Sequence, residues 1–409
     1  MTNKLLNVFL RGTTLFSKFV LIFVLARYLK VDEVGLYGLL AATVVYGSCA
    51  LGFEFYTYST RKLLASPKKL WGEIVRDSCV FYCIAYIFLL PLLALLFEFS
   101  ILPYSVCLPF YLILIFEHIG LEFNRFFVAI SETLFASFLV FLKTSCWMLL
   151  VIPCIIIFPA FRHLEFVLIA WAAGALLACV FGCLKVRRIV SLKCERKVDW
   201  DWIFSGVKRA GYFYVSSMAL VSLHVLDRYL IEFIGGYGVL SSYVLFSGIS
   251  NSLGSFLDAG VFVFYYPKMI TAYHNQDRKT FYQSLRSMSK QAVVLAVVFC
   301  AIAYLLLDFL LTWLNNPVYF ENVEYCYLLL LVAVVKAVSL LPQYALYACG
   351  VDKPIVQSNV FSLFLFIVFG AVCVFDIGDI KVPVILICCY FLQFIWRWLA
   401  WGKYSRIVW

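Results

Sequence analysis

Residues 26–40 read ARYLKVDEVGLYGLL, and residues 227–240 read DRYLIEFIGGYGVL. Equivalent residues, such as Arg27 and Arg228 or Gly38 and Gly238, lie 201 or 200 positions apart in a chain of 409 residues. Each copy ends one long apolar segment and, after a short polar link, begins the next. A repeat at half the chain length predicts an internal duplication. In a very apolar chain, such a duplication typically builds two helical bundles around a central site.

The composition excludes a water-soluble fold. Hydrophobic residues make up 64% of the chain, charged residues 14%, and the mean hydropathy is +0.96, whereas globular domains contain roughly 25% charged residues. The fifteen cysteines lie almost entirely within apolar runs, where free cysteine packs as a small hydrophobe. The four histidines are too scattered to predict a metal site. We therefore expect an all-α polytopic membrane protein without a cofactor.

Twelve apolar segments are long enough to cross a bilayer, which needs about 20 residues per helix. These predicted spans are 5–29, 34–58, 77–97, 102–124, 132–158, 164–185, 204–233, 237–266, 287–313, 323–348, 354–376 and 382–402.

The loop charges predict the orientation. Alternate links carry 22 and four basic residues, the 22 including Arg61, Lys62 and Arg397, and the basic links are expected in the cytoplasm. Both termini are then cytoplasmic, and the net charge of +10 is explained without nucleic acid. The long basic link 185–203 divides the chain into an N-terminal lobe, 1–190, and a C-terminal lobe, 191–409, with six helices each. Because six crossings separate the copies, we expect the lobes to be related by a pseudo-twofold axis along the membrane normal.

Seven basic residues fall within the predicted spans: Arg11, Lys18, Lys143, Lys208, Arg209, Arg228 and Lys336. A charge near the centre of a spanning helix costs at least about 2.5 kcal/mol, so it needs a functional role or a partner. Lys18, Lys143 and Lys336 lie closest to mid-span, and two interpretations remain open for them: a substrate site or buried salt bridges. An excess of cations favours an anionic substrate, and phosphate is a frequent partner of arginine and lysine.

Three acidic residues are candidates for ion coupling: Glu54, Asp227 and Asp258. Asp258 is the deepest acid of the second predicted lobe. Asp227 adjoins Arg228 and lies three residues after His224. This spacing also fits a structural polar cluster near the outer end of the seventh span, and we leave both readings open.

The two repeated stretches, together with GFEFYTYSTRKL (52–63) and YACGVDKPIVQSN (347–359), resemble Wzx-type polysaccharide flippases of the multidrug/oligosaccharidyl-lipid/polysaccharide exporter superfamily. The resemblance implies two six-helix lobes in a V shape around a central cationic cavity. It also implies that an undecaprenyl-diphosphate-linked oligosaccharide is flipped by alternating access, driven by a proton or sodium gradient. The cationic positions of the family carry over to Arg11, Lys18, Arg61, Lys208 and Arg209, although Arg61 also fits an ordinary cytoplasmic anchor.

The resemblance implies a bacterial inner-membrane location. The expected partners are the lipid-linked oligosaccharide, membrane lipids, and the polymerase and chain-length proteins of the same pathway. One alternative is a small-molecule or drug exporter of the same superfamily, which would favour acidic cavity residues for cationic drugs. A second is a membrane enzyme such as an O-antigen polymerase or ligase, but the longest predicted external link is too short for the loop that such enzymes need. We therefore expect a transporter rather than an enzyme.

Overall fold

The computed structural model describes residues 2–191, 196–375 and 381–408, and these are helical with no strand among them. The helices are α1 (Thr2–Tyr28), α2 (Val31–Gly52), α3 (Tyr56–Ala65), α4 (Trp71–Glu98), α5 (Cys107–Ala129), α6 (Thr133–Phe141), α7 (Trp147–Ile157), α8 (Leu164–Ile189), α9 (Trp200–Leu223), α10 (Leu226–Leu257), α11 (Val263–His274), α12 (Arg278–Leu314), α13 (Pro317–Glu321), α14 (Glu324–Ala348), α15 (Lys353–Phe375) and α16 (Lys381–Val408).

Within the described residues, eleven helical stretches are long and apolar enough to cross a membrane. One of them, Trp200–His274, has 75 residues and contains two of the predicted spans. Gly236 interrupts the helical geometry between those two spans, with φ 72° and ψ −177°. The prediction of an all-α, multi-pass membrane protein with about twelve crossings is therefore confirmed. The C-terminal end of predicted span 354–376, and Lys193 in the basic link, lie outside the described residues.

The predicted span 34–58 is not one helix. Helix α2 ends at Gly52, and the next two residues adopt left-handed conformations, with φ 49° at Phe53 and 54° at Glu54. Such a conformation costs a non-glycine residue about 1 kcal/mol or more, so the surrounding structure must hold it. Aromatic packing does so: the Phe53 ring stacks on Tyr214 at 4.1 Å, and the Phe55 ring stacks on Phe81 at 4.3 Å. The break makes α3 a separate short helix.

Two single-turn π-helices interrupt the spans, at Leu142–Cys146 and at Asp258–Phe262. Each contains a residue that the sequence marked as a candidate, Lys143 in the first and Asp258 in the second. A π-turn is rare within an α-helix and frequently occurs at a functional site. Each π-turn therefore contains one of the charged residues that the sequence places within a predicted span.

The chain forms two compact units. Unit 1 consists of Met1–Val24 and Leu40–Val221, and unit 2 of Leu25–Leu39 and Ser222–Trp409. The six-plus-six division at residue 190 and the pseudo-twofold axis remain predictions.

The two copies of the repeated stretch pack against each other within unit 2. A Cβ atom on Gly35 would lie 2.4 Å from the Tyr237 carbonyl oxygen, and one on Gly38 would lie 2.1 Å from the Val244 side chain. The Arg228 guanidinium donates a hydrogen bond of 2.6 Å to the Gly38 carbonyl. Gly35 and Gly38 of the first copy thus lie where there is no room for a side chain, whereas a Cβ atom on Gly238 of the second copy would meet no atom within 4 Å.

Candidate functional site

A pocket in unit 1 brings together three basic side chains from α3 and α9. Its volume is about 290 Å³. We call it the cationic pocket, and its lining by described residues contains no carboxylate: Thr57, Tyr58, Arg61, Lys62, Trp202, Arg209, Ala210 and Phe213. Arg61 and Arg209, both candidates from the sequence, therefore line one site. Lys62 was expected only as a cytoplasmic loop charge.

Aromatic rings form part of the wall of the cationic pocket. The Tyr58 ring stacks on Trp202 at 5.4 Å, and the Arg209 guanidinium carbon lies 5.7 Å from the Tyr58 ring centroid. Gly206 allows α9 to approach these rings, since a Cβ atom there would lie 2.5 Å from the Phe55 ring and 2.6 Å from the Tyr58 ring. The sequence places a residue without a side chain where the two helices meet.

The guanidinium groups of the cationic pocket have unused donors. Among the described residues, neither Arg61 nor Arg209 forms a hydrogen bond or an ion pair within 4 Å, and both side chains are exposed. A planar guanidinium binds a phosphate or carboxylate through two parallel hydrogen bonds. Two such groups and an ammonium, without a neutralising acid among the described lining residues, are suited to a ligand with more than one negative charge.

A second basic cluster in unit 1 is largely neutralised. The Lys143 ammonium lies 2.5 Å from Glu117 Oε2, and the Trp171 indole donates a 2.8 Å hydrogen bond to Glu117 Oε1. Gly120 leaves room for the lysine, since a Cβ atom there would lie 2.8 Å from Lys143 Cδ. Lys18 is exposed and lies within the electrostatic reach of both Lys143 and Glu117. Lys143 therefore matches the salt-bridge interpretation more closely than Lys18 does.

The two remaining basic candidates of unit 1 lie outside the cationic pocket. The Arg11 Nε donates a 3.3 Å hydrogen bond to the Ser137 hydroxyl, which itself donates to the Asn7 amide oxygen at 2.5 Å. Lys208 is exposed on α9, next to Arg209, but it does not line the pocket. Their roles in substrate binding remain predictions, and the diphosphate site proposed below does not include Lys208.

Unit 2 contains a polar cavity of about 220 Å³ around Lys336. The Lys336 ammonium lies 2.9 Å from His224 Nε2, and the Tyr390 hydroxyl lies 3.0 Å from His224 Nδ1. The same cavity is lined by Asp227 and Tyr243. No described carboxylate lies within 4 Å of the Lys336 ammonium, so the cavity contains a lysine without an ion-pair partner.

The three acidic candidates have different surroundings. Asp227 is buried and accepts hydrogen bonds from the Tyr243 hydroxyl at 2.5 Å and from the Arg228 backbone N–H at 2.7 Å. Asp258 accepts a long hydrogen bond of 3.4 Å from the Tyr344 hydroxyl. Glu54 sits at the break between α2 and α3. Asp227 therefore belongs to the local polar cluster that its spacing suggested, and the coupling role of all three remains a prediction.

Arg397 was counted in the sequence as a cytoplasmic loop charge, and the structure corrects this placement. Its side chain is only 1% exposed. The guanidinium donates to the Ser358 hydroxyl at 3.0 Å, the Ser339 carbonyl at 3.1 Å and the Asn359 amide oxygen at 2.7 Å. Ser358 and Asn359 are the last two residues of the stretch YACGVDKPIVQSN. This polar pair within an apolar span was the sequence signal that could have indicated a buried polar partner. In the described part of the chain, no group of three or more histidine, cysteine, aspartate or glutamate residues could hold a metal ion.

No protein-family model matches the chain, and no curated protein matches it significantly. Solved structures do match the chain. The inward-facing conformation of a multidrug resistance MATE family transporter of the MOP superfamily superposes with a TM-score of 0.77 at 12% identity, covering 96% of this chain and 95% of that chain. The chain has the fold of the MATE transporters.

Other solved transporters agree with this fold. A MATE structure in the straight conformation gives a TM-score of 0.65 at 13% identity and covers 99% of this chain and 97% of that chain. A MOP superfamily transporter from Pyrococcus furiosus gives a TM-score of 0.61 at 12% identity and covers 100% of this chain and 94% of that chain. Its binding pocket has a reversed polarity that suggests a different function for that protein. These neighbours are transporters rather than enzymes.

Proposed function

We propose that this protein is a flippase that moves an undecaprenyl-diphosphate-linked oligosaccharide across the bacterial inner membrane. The observation that supports the proposal most strongly is the cationic pocket, in which Arg61, Lys62 and Arg209 face one cavity that no described carboxylate lines. Both termini then lie in the cytoplasm, and a proton or sodium gradient drives the transport through the acidic candidates.

The chemistry of the pocket matches a diphosphate. A hydrogen bond between a charged donor and acceptor contributes about 1.5–3 kcal/mol, so two guanidinium groups supply enough free energy for selective binding. The Tyr58 and Trp202 rings fix the wall beside these charges. Because the basic side chains are exposed, the pocket does not carry the full cost of burying unpaired charge.

Complementation in cells tests this proposal. The gene is deleted in a strain that makes surface polysaccharide, and wild type, Arg61→Ala/Arg209→Ala and Lys208→Ala are expressed at matched levels. We expect the double variant to lose the surface polymer and to accumulate lipid-linked precursor inside the cell. Lys208→Ala removes a neighbouring exposed charge outside the pocket and should retain export. Normal polymer in the double variant, or no accumulated precursor in the deletion strain, would contradict the proposal.

The second candidate function is the export of small organic cations, which the multidrug transporters among the solved structures favour. Such a substrate needs acidic side chains that are available in a cavity. In unit 1, however, Glu117 is paired with Lys143, and Glu122 is paired with Arg125 at 2.5 Å. Increased sensitivity of the deletion strain to cationic dyes and antibiotics, with unchanged surface polysaccharide, would favour this second function.

A further inference from the structure

The polar cavity of unit 2, which we call the Lys336 cavity, has a volume of about 220 Å³. The proposed flippase function assigns no ligand to it. Pockets for drug-sized ligands measure about 300–1,000 Å³, so this cavity suits a smaller ligand. More than half of the described residues that line it carry a polar or charged side chain. Such a lining is suited to a small polar ligand and not to a hydrocarbon chain.

Lys336 is held in place within the cavity but is not neutralised there. Its ammonium lies 2.9 Å from His224 Nε2, and because an ammonium can only donate, Nε2 is the acceptor. The neutral imidazole then carries its proton on Nδ1, which donates to the Tyr390 hydroxyl at 3.0 Å. His224 is the one described hydrogen-bond partner of the Lys336 ammonium, which has three donors. Two donors of this partly exposed lysine therefore remain for a ligand.

The charges of the Lys336 cavity favour a ligand with one negative charge. Among the described lining residues, Asp227 is the acid, whereas Arg228 and Lys336 are cationic. Both Asp227 oxygens already accept hydrogen bonds, one from the Tyr243 hydroxyl and one from the Arg228 backbone N–H. Asp227 and, outside the lining, Asp258 lie within electrostatic reach of Lys336 and offset part of its charge. A single carboxylate is therefore attracted, whereas a diphosphate would place further negative charge near these acids.

Helix α10 leaves open space in the Lys336 cavity. Ser247, Asn251 and Gly254 line it, and their spacing of four and three residues places them on one face of the helix. A Cβ atom on Gly254 would meet no atom within 4 Å, so a side chain has open space beyond this position. Asn251 is exposed, and its amide has no described hydrogen-bond partner. The cavity therefore offers space and a free amide to a ligand with hydroxyl groups.

We propose that the Lys336 cavity binds one hexuronate residue of the transported oligosaccharide, that is, a sugar ring with a single carboxylate. The carboxylate pairs with the Lys336 ammonium, and the ring hydroxyls bond to the Asn251 amide. The inference rests on the proposed function for the source of this sugar, whereas binding of a free hexuronate does not depend on that function.

Isothermal titration calorimetry of the purified protein in phosphatidylcholine nanodiscs tests the binding. The probes are glucuronate, glucose and acetate, which supply the ring with its carboxylate, the ring alone and the carboxylate alone. We expect glucuronate to bind at least about tenfold more tightly than either of the others, because each of these lacks one set of hydrogen bonds. Undetectable binding of glucuronate would overturn the proposal, as would glucose or acetate binding as tightly as glucuronate.

Lys336→Gln removes the charge and keeps an amide that can donate to His224. We expect glucuronate to bind at least about tenfold more weakly, at an unfolding temperature that is not lowered, because the lysine has no described ion-pair partner to lose. Lys290→Gln is the matched control, since Lys290 is exposed in unit 2 and does not line the cavity. Equal glucuronate affinities for the two variants would overturn the proposal.

Gly254→Leu extends a side chain into the open space of the cavity and changes no charge. We expect it to weaken glucuronate binding at least about tenfold by occupying the place of the ring. Gly238→Leu is the control on the same helix, because Gly238 does not line the cavity and a Cβ atom there also meets no atom within 4 Å. If Gly254→Leu binds glucuronate as tightly as Gly238→Leu does, the ligand does not occupy this cavity.

A failure of the diphosphate site would leave these titrations unchanged, because Arg61 and Arg209 belong to unit 1 and do not line the Lys336 cavity. Export in cells tests whether the hexuronate belongs to the oligosaccharide. Wild type and Lys336→Gln are expressed in two strains, whose repeat units contain either one hexuronate or neutral sugars alone. We expect Lys336→Gln to lower export of the acidic unit about tenfold relative to wild type and to retain export of the neutral unit. Equal effects on both units would overturn the assignment to the oligosaccharide.

Discussion

Arg397 in unit 2 and the Arg61–Arg209 pair in unit 1 are basic groups without a described carboxylate within 4 Å, yet their surroundings differ completely. Arg397 is buried, and three neutral oxygen acceptors from three residues accept its hydrogen bonds. Arg61 and Arg209 are exposed beside aromatic rings and have no described hydrogen-bond partner. The first arrangement connects helices, whereas the second leaves donors available to a ligand. We therefore expect satisfied donors, rather than depth or charge alone, to separate a structural cation from one that binds a ligand.

Removing the guanidinium at the structural site should have the largest effect on stability. Arg397→Ala removes the hydrogen bonds that the guanidinium donates to Ser339, Ser358 and Asn359 and opens a cavity, so we expect the free energy of unfolding to fall by about 3 kcal/mol or more. Thermal unfolding of the detergent-solubilised protein measures the change. Arg406→Ala is the control, because Arg406 is exposed on the same helix. Equal unfolding temperatures for the two variants would show that the buried hydrogen bonds do not stabilise unit 2.

The Lys143–Glu117 pair should give an intermediate effect, since its side chains are 13% and 16% exposed. Lys143→Ala leaves the Glu117 carboxylate with only the Trp171 hydrogen bond, and we expect a loss of about 2 kcal/mol in the free energy of unfolding. Adding Glu117→Gln removes the uncompensated charge and should restore part of that loss. A double variant less stable than Lys143→Ala would contradict the interpretation that Lys143 and Glu117 neutralise each other. It would favour the interpretation that Lys143 belongs to a substrate site.

The packing beneath the cationic pocket should give a smaller effect. A methyl group at Gly206 overlaps the Phe55 and Tyr58 rings, and we expect Gly206→Ala to cost about 1.5 kcal/mol of stability by overpacking and to displace the Tyr58 ring. Gly211→Ala, on the same helix with no atom within 4 Å of its Cβ position, should change stability by less than about 0.5 kcal/mol. Indistinguishable thermal unfolding of the two variants would show that α3 and α9 do not pack as described.

Much of the fold follows from the sequence, because a spanning helix needs a long apolar run and because two glycines of the first repeated stretch, Gly35 and Gly38, lie at close contacts. The break after Gly52 does not follow from the sequence, because Phe53 and Glu54 are not glycines and so do not signal a left-handed conformation. Aromatic rings distant in the chain hold them in that conformation. Gly236 shows the opposite case, in which a glycine marks an interruption that the spacing of the spans already suggested.

The candidate site was predictable only in part. Intramembrane charge singled out Lys143, Arg209 and Lys336, and the resemblance added Arg61. Which of these residues face one cavity, and which are already neutralised, depends on distances between helices that a single sequence does not contain. Arg397 shows this most clearly, since a basic residue near the end of an apolar run is equally compatible with the membrane surface and with a buried site.

Binding of undecaprenyl diphosphate to the purified protein in nanodiscs tests the central claim, that the unsatisfied guanidinium groups of the cationic pocket hold a diphosphate. Each arginine should contribute at least about tenfold in affinity, so Arg61→Ala/Arg209→Ala should raise the dissociation constant about 100-fold at an unchanged unfolding temperature. Lys208→Ala, which removes an adjacent charge outside the pocket, should stay within about twofold of wild type. If the double variant binds as tightly as wild type, the cationic pocket is not the diphosphate site.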